Sequence, residues 1–240
     1  MAEWTIQKLL NWITDYFTEK SLDSPRLCAE MLLAETLGLR RIDLYTRFDQ
    51  PVSQQDRDRL RDLVKRAADH EPVQYLIGKT EFYSMQFQVS PAVLIPRPET
   101  ELLVERAIEY LRSRTGKQFI CDLCTGSGCI AAAIAKNHPD CRVIATDICS
   151  DALEIAAANI EKHNLTEKVE LLQGDLSSRS SPTSTPTNST LSSRIHLTSA
   201  RPNTKTYPPT SANTNLPLHS VRAKPGSTLS KRSSLRHPHT

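Results

Sequence analysis

The last acidic residue of this 240-residue chain is Asp175, and that break limits what the chain can fold into. Residues 1–176 carry all 27 Asp+Glu and 21 of the 30 Lys+Arg, a net charge of −6, whereas residues 177–240 carry the other nine Lys+Arg, a net of +9. The basic segment holds 38 Ser, Thr, Pro and Asn among its 64 residues, no Cys, and Tyr207 as its one aromatic. A stretch so polar cannot bury enough apolar surface to offset the entropy of ordering it. The sequence therefore predicts a folded body over residues 1–176 and a disordered basic tail over 177–240, with function residing mainly in the body.

No apolar run approaches the roughly 18 residues that a membrane span needs, and the N-terminus lacks a basic region followed by an apolar stretch. A cytoplasmic protein with no membrane partner is expected. The six cysteines (Cys28, Cys121, Cys124, Cys129, Cys141, Cys149) sit mostly inside apolar runs, as reduced thiols do. Cys121-x-x-Cys124 has redox or zinc spacing, but neither a second such pair nor a His cluster accompanies it, so packing is the expected role and no metal is expected.

Along residues 3–18, Ile6, Leu9, Leu10, Ile13 and Phe17 recur at helical spacing. Ser24-Pro25 reads as an N-cap with proline at the first helical position, followed by a stripe of Leu27, Met31, Ala34 and Leu37 that Gly38 ends. Ser53 opens a further helix with Leu60, Leu63, Val64 and Ala67 inward. Residues 1–71 thus form a small helical bundle. The period changes after Pro72: residues 80–90 alternate as a strand or hairpin, and Leu94–Glu101 (LIPRPETE) is an extended segment fixed by two prolines, giving a connecting region over 72–98. Arg97 and Glu99 in it could line a ligand site or pair as a hinge. A helix through Leu102, Leu103, Ala107, Ile108 and Leu111 then leads into an α/β pattern over 99–176. Its strands are Phe119–Leu123, Arg142–Asp147 and Val169–Gln173, with helices at Cys129–Lys136 and from Ser150 or Asp151 to Asn164. The alternation stops after the third strand, as if the sheet were cut short, and the uncovered edge predicts low solubility.

The chemistry concentrates at the strand ends. The turn Asp122-Leu123-Cys124-Thr125-Gly126-Ser127-Gly128 joins a strand to a helix, where glycines let a ligand approach the backbone and the helix N-terminus presents unpaired N–H groups. Asp147, ending the next strand, stands where nucleotide-binding sheets place an acid that accepts ribose hydroxyls. Asp175, after Gly174 at the third strand end, adds a contact for the base. No third glycine follows Gly128 and no phosphate-binding Lys follows the turn, so a nucleoside without phosphates fits best. S-adenosyl-L-methionine is such a ligand, with Asp122, Cys124, Thr125, Gly126, Ser127 and Gly128 near its methionine part and Asp147 and Asp175 on its nucleoside. None of the seven histidines is placed as a catalytic base, and no catalytic residue is assigned.

These strings, DLCTGSGCIAAAIA (Asp122–Ala135), VIATD (Val143–Asp147) and GDL (Gly174–Leu176), resemble the glutamine methyltransferases that modify peptide chain release factors. PVQYLIGKTEFYSMQF (Pro72–Phe87) and LIPRPETE are similar to that family's connecting hairpin and entry segment, so the resemblance covers about residues 5–176. It implies an N-terminal helical bundle that binds the release factor, followed by a truncated Rossmann-like S-adenosylmethionine-dependent methyltransferase domain. It also implies an Asn-Pro-Pro-Tyr motif after the fourth strand, whose Asn side chain and Pro carbonyl hold the substrate glutamine amide. No such string occurs here. An amide nitrogen is a poor nucleophile that must be aligned with the sulfonium methyl, so little or no turnover is expected without the motif.

The tail begins where that fourth strand should follow. When the third base of each codon is read with the first two of the next, Asn188–Thr198 permits Phe-Asp-Leu-Ile-Val-Ser-Asn-Pro-Pro-Tyr and Ser199–Lys205 permits Val-Ser-Ala-Ala-Glu-Tyr-Glu. A one-base shift near codon 176 is therefore expected to have created the tail. Three other readings stand beside this one: a genuine basic tail with weak polyanion binding and no specific nucleic acid partner, amino-methylation of nucleic acid, and a non-catalytic fragment.

Overall fold

The computed structural model describes residues 3–174 and the backbone of residues 194–198. Its first third follows the helical period. Helix α1 (Ile6–Glu19) buries Ile6, Leu9, Leu10, Ile13 and Phe17, and the Thr5 hydroxyl accepts the Lys8 amide at its start. Burying each such side chain contributes about 1.5–3 kcal/mol, so the stripe outweighs helix propensity in fixing the element. Helices α2 (Pro25–Leu37), α3 (Arg41–Thr46), α4 (Gln54–Ala68) and α5 (Val73–Ile77) share the same core. Ser53 accepts the Asp56 amide and caps α4, as its position predicts.

Two expectations about α2 are corrected. Ser24 does precede the helix, but its backbone is left-handed (φ 51°) and its side chain makes no capping bond. The expected stripe is only part of the buried face: Ala34 is buried and Met31 and Leu37 pack partly buried on the core, but Leu27 is 39% exposed, and Ala29, Leu32 and Leu33 are fully buried. Helix α2 packs against α1, α3, α4 and α5 at once, and an element covered on several sides has no single apolar stripe. Even Glu30 is buried there, its carboxylate held by Arg26, Arg41 and Tyr45.

Strands β1 (Lys79–Phe82) and β2 (Met85–Gln88) form the expected hairpin. Tyr83 and Ser84 close it with φ of 51° and 56°, a conformation that side chains resist. Glu101, in the first turn of α6 (Glu99–Arg112), accepts the Tyr83 amide at 2.8 Å and holds that turn. Among the described residues Arg97 and Glu99 form no ion pair, and both are exposed, which removes the paired hinge. Phe82, Met85 and Phe87 join the core of the α/β unit.

That unit runs β3 (Gln118–Leu123), α7 (Cys129–Asn137), β4 (Cys141–Asp147), α8 (Ser150–Lys162) and β5 (Val169–Gln173). A further strand, β6 (Arg194–Thr198), lies in the segment expected to be disordered, and this corrects both the disordered tail and the three-stranded sheet over those five residues. The sheet is parallel with order β5-β4-β3-β6, and β6 pairs with β3 from Phe119↔Arg194 to Leu123↔Thr198. Without it β3 would be an edge with unpaired N–H and C=O groups. Ile195 and Leu197 alternate with His196 and Thr198, a pattern that averaging over the long Ser/Thr-rich segment conceals. Residues 177–193 and 199–240 lie outside the described residues. Among the described residues no helix is long and apolar enough to cross a membrane.

Candidate functional site

Parallel pairing of β3 with β4 puts Leu123 beside Thr146, so the turn leaving β3 lies next to Asp147. Three loops converge on that residue. Gly126, from the loop after β3, donates its amide to Asp147 Oδ2 at 3.1 Å; Cys149, after β4, donates to Oδ1 at 3.1 Å; and Gly174, after β5, donates to the Asp147 carbonyl at 3.0 Å. Thr125 adds an amide bond to the Thr146 carbonyl at 2.9 Å. Asp147 is thus the post that fixes the loops.

The glycines of the turn are needed for different reasons. Gly126 has φ 55° and Gly128 φ 76°, both unfavourable for other residues. Gly128 also lies against α8, where an added Cβ would meet the Ala156 Cβ at 3.2 Å. Helix α7 begins after Gly128 with no capping side chain. The Ala131 amide in its first turn bonds the buried Asp122 carboxylate instead. Cys124 (φ 56°) and Gly126 are half-buried, and Thr125, Ser127 and Gly128 are buried.

Asp122, expected near the ligand, lies fully buried beneath the turn. The Thr125 hydroxyl donates to its Oδ2 at 2.7 Å, while Oδ1 is a buried oxygen without a hydrogen-bond partner. Burial pushes its carboxyl up to about 7, against the opposing effect of the Thr125 hydroxyl and the Ala131 amide. Asp122 therefore meets the turn through Thr125. Asp175 lies outside the described residues. Burial also pushes the Cys129 thiol up to about 12 and Cys141 to about 11, which keeps both protonated and unreactive. Among the described residues no three His, Cys, Asp or Glu side chains are grouped to hold a metal ion.

Sequence reasoning missed two residues. Asn159 on α8 is fully buried; its Oδ1 accepts the Gln88 amide at 2.7 Å, and its Nδ2 donates to the Gln88 carbonyl at 3.0 Å and the Ser127 carbonyl at 2.9 Å. It ties the hairpin to the glycine turn, a link that no sequence spacing announces. Ile148 is 52% exposed immediately after Asp147. An apolar residue directly after a strand-end acid is the sequence signal that could have found it.

The loops after β3, β4 and β5 thus converge on one strand-end acid. Residues 8–78 match the family model for the PrmC N-terminal domain, and residues 120–205 match the model for a methyltransferase domain. The chain is 47% identical over 176 residues to the release factor glutamine methyltransferase of Rhodopirellula baltica, an overlap that covers 72% of this chain and 60% of that one. The corresponding proteins of Geobacter sulfurreducens and Bacillus subtilis are 41% identical over 173 residues and 39% over 175, each covering 72% of this chain and 59% of the relative. The chain thus spans about 60% of the length of these curated relatives.

Proposed function

Over the 72% of its length that these relatives match, the chain belongs to the release factor glutamine methyltransferase family, and on that premise we propose that its α/β unit binds S-adenosylmethionine while its helical unit docks a release factor. The observation that carries the reading is the convergence of the Gly126, Cys149 and Gly174 amides on Asp147. Asp147 accepts from the ribose hydroxyls, and exposed Ile148 offers an apolar surface to the adenine. The residues present fit such a ligand: Gly126 and Gly128 put no side chain at two positions of the turn, and no side chain at the Gly128 position caps α7. Asp175 serves as a contact for the base. When bound, the cofactor supplies a methyl group on a sulfonium centre.

That methyl would go to the substrate glutamine nitrogen in exchange for one of its protons, with S-adenosylhomocysteine as the other product. The two amide hydrogens need acceptors that hold the nitrogen in line. Asn-Pro-Pro-Tyr, which the family resemblance assigns to that task, is absent from the sequence. Cofactor binding is therefore retained and turnover is lost. The alternative reading of Asn188–Thr198 supports a shifted frame as the origin of the loss. Sequencing the coding DNA checks this, and a locus in which no frame reads Asn-Pro-Pro-Tyr there refutes it.

Incubating the full chain with methyl-labelled S-adenosylmethionine and a purified release factor tests the activity. We expect label incorporation at least a hundredfold below that of a full-length relative, a loss of about 2.7 kcal/mol or more in transition-state stabilisation. Incorporation close to the relative's would refute the proposed loss and leave the family activity intact.

A further inference from the structure

Helices α1 and α4 both pack on α2, and a groove of about 660 Å³ lies between them. Its floor is apolar, made by Leu9 and Ile13 of α1 and Leu60 and Val64 of α4. One wall is aromatic: Trp4, Trp12 and Tyr16, with the Trp12 and Tyr16 rings stacked at 5.6 Å and Trp12 left 50% exposed. The other wall is cationic, with Arg57, Arg61 and Lys65 spaced by four residues on one face of α4. Asp56, Asp58 and Asp62 of the same helix do not line the groove, although Asp58 pairs with Arg61 at 2.8 Å in solvent. Lys20 adds a further cation above the Tyr16 ring, at 5.7 Å.

This local charge runs against the surroundings. Residues 3–71 carry 13 Asp+Glu and 11 Lys+Arg, a net of −2, yet the ionisable side chains lining the groove are all basic apart from the Tyr16 hydroxyl. Exposed tryptophan, tyrosine and arginine around an apolar floor are the residue types that dominate binding energy in protein interfaces. From Trp4 to Tyr16 the wall extends about 18 Å, roughly three turns of a facing helix. We infer that the groove receives an acidic amphipathic helix of a partner protein, its apolar side on Leu9, Ile13, Leu60 and Val64 and its carboxylates on Arg57, Arg61 and Lys65. The chain's own residues 177–240 do not complement the site, because they contain no acid and carry +9. The inference rests on the proposed docking role of the helical unit and not on methyl transfer.

The two tryptophans of the chain are Trp4 and Trp12, so intrinsic tryptophan fluorescence reads this groove and is blind to binding by residues 177–240. The probe is a 15-residue helical peptide with Leu on one face and Glu on its flanks, titrated into the full chain beside the same peptide with Lys for Glu. We expect a saturable blue shift with the Glu peptide, at least tenfold weaker binding of the Lys peptide, and at least tenfold loss in the variant Arg57→Gln/Arg61→Gln/Lys65→Gln. Raising salt on the unmodified chain provides a reading that needs no variant, and binding should weaken several-fold. Equal affinity for both peptides, no spectral change, or indifference to salt and substitution overturns the inference. A purified release factor separates the two readings. If the release factor binds but the Glu peptide gives no signal, the groove fails and the proposed partner stands. If the Glu peptide binds as expected but is not displaced, the groove stands and the proposed partner fails.

Discussion

Each half of the molecule buries a carboxylate, and the two are treated in opposite ways. Glu30, in the helical unit, meets Arg26, Arg41 and Tyr45; burial raises its proton affinity, but these partners outweigh it and hold the carboxyl below its ordinary value. Asp122, in the α/β unit, meets only neutral donors and keeps one oxygen unpartnered, so burial wins and the carboxyl rises to about 7. A closed ion-pair cluster locks helices together. A buried acid with one oxygen unpartnered beneath the glycine turn instead has its proton affinity set by burial.

If the two units fold around separate cores, damage to one should spare the other. The largest effect is expected for Gly128→Val, which places a β-branched residue at φ 76° and drives a Cβ to 3.2 Å from Ala156. A cost of about 2–6 kcal/mol combines the backbone strain with the overpacking. Hydrogen exchange should show protection lost over 118–173 and kept over 6–77; loss in both regions would break the comparison.

The next effect is a pH dependence of opposite sign in the two halves. Because the folded-state value of Asp122 is raised, the native chain binds more protons than the unfolded one between about pH 4 and 7. Stability of the α/β unit therefore falls as pH rises through that window, by up to roughly 4 kcal/mol, and Asp122→Asn should flatten the slope. Glu30 is lowered, so its contribution is present above its unfolded value near 4.5 and is lost as pH falls below it. Site-resolved hydrogen exchange against pH measures both, and parallel slopes in the two halves would contradict the contrast. The smallest effect is in the helical unit: Ser53→Ala removes the bond to the Asp56 amide and should cost about 1 kcal/mol in a thermal melt.

How much of this was legible in sequence follows from how local each feature is. The α1 stripe, the Ser53 cap and the strand ends at Leu123, Asp147 and Gln173 were readable, because each depends on neighbours in the chain. The buried face of α2 was not, because four helices surround it. The acids at the strand ends were identified by position, but their different surroundings were not. Asp147 gathers three loops while Asp122 sits under Thr125, a difference that depends on pairing across the sheet. Asn159 acts across 71 residues to reach Gln88, a distance no motif spans. Strand β6 was hidden by the composition of its surroundings, and its pairing with β3 is a long-range contact that sequence averages cannot register.

The central claim is that the strand ends hold a working S-adenosylmethionine site although the family's substrate motif is missing. Calorimetric titration of the full chain with S-adenosylmethionine tests it most directly. The account predicts saturable heat with a dissociation constant below about 1 mM, weakened at least tenfold by Asp147→Ala, with the circular dichroism of that variant showing that it is folded. No heat at millimolar ligand, or equal affinity in the Asp147→Ala variant, would contradict it.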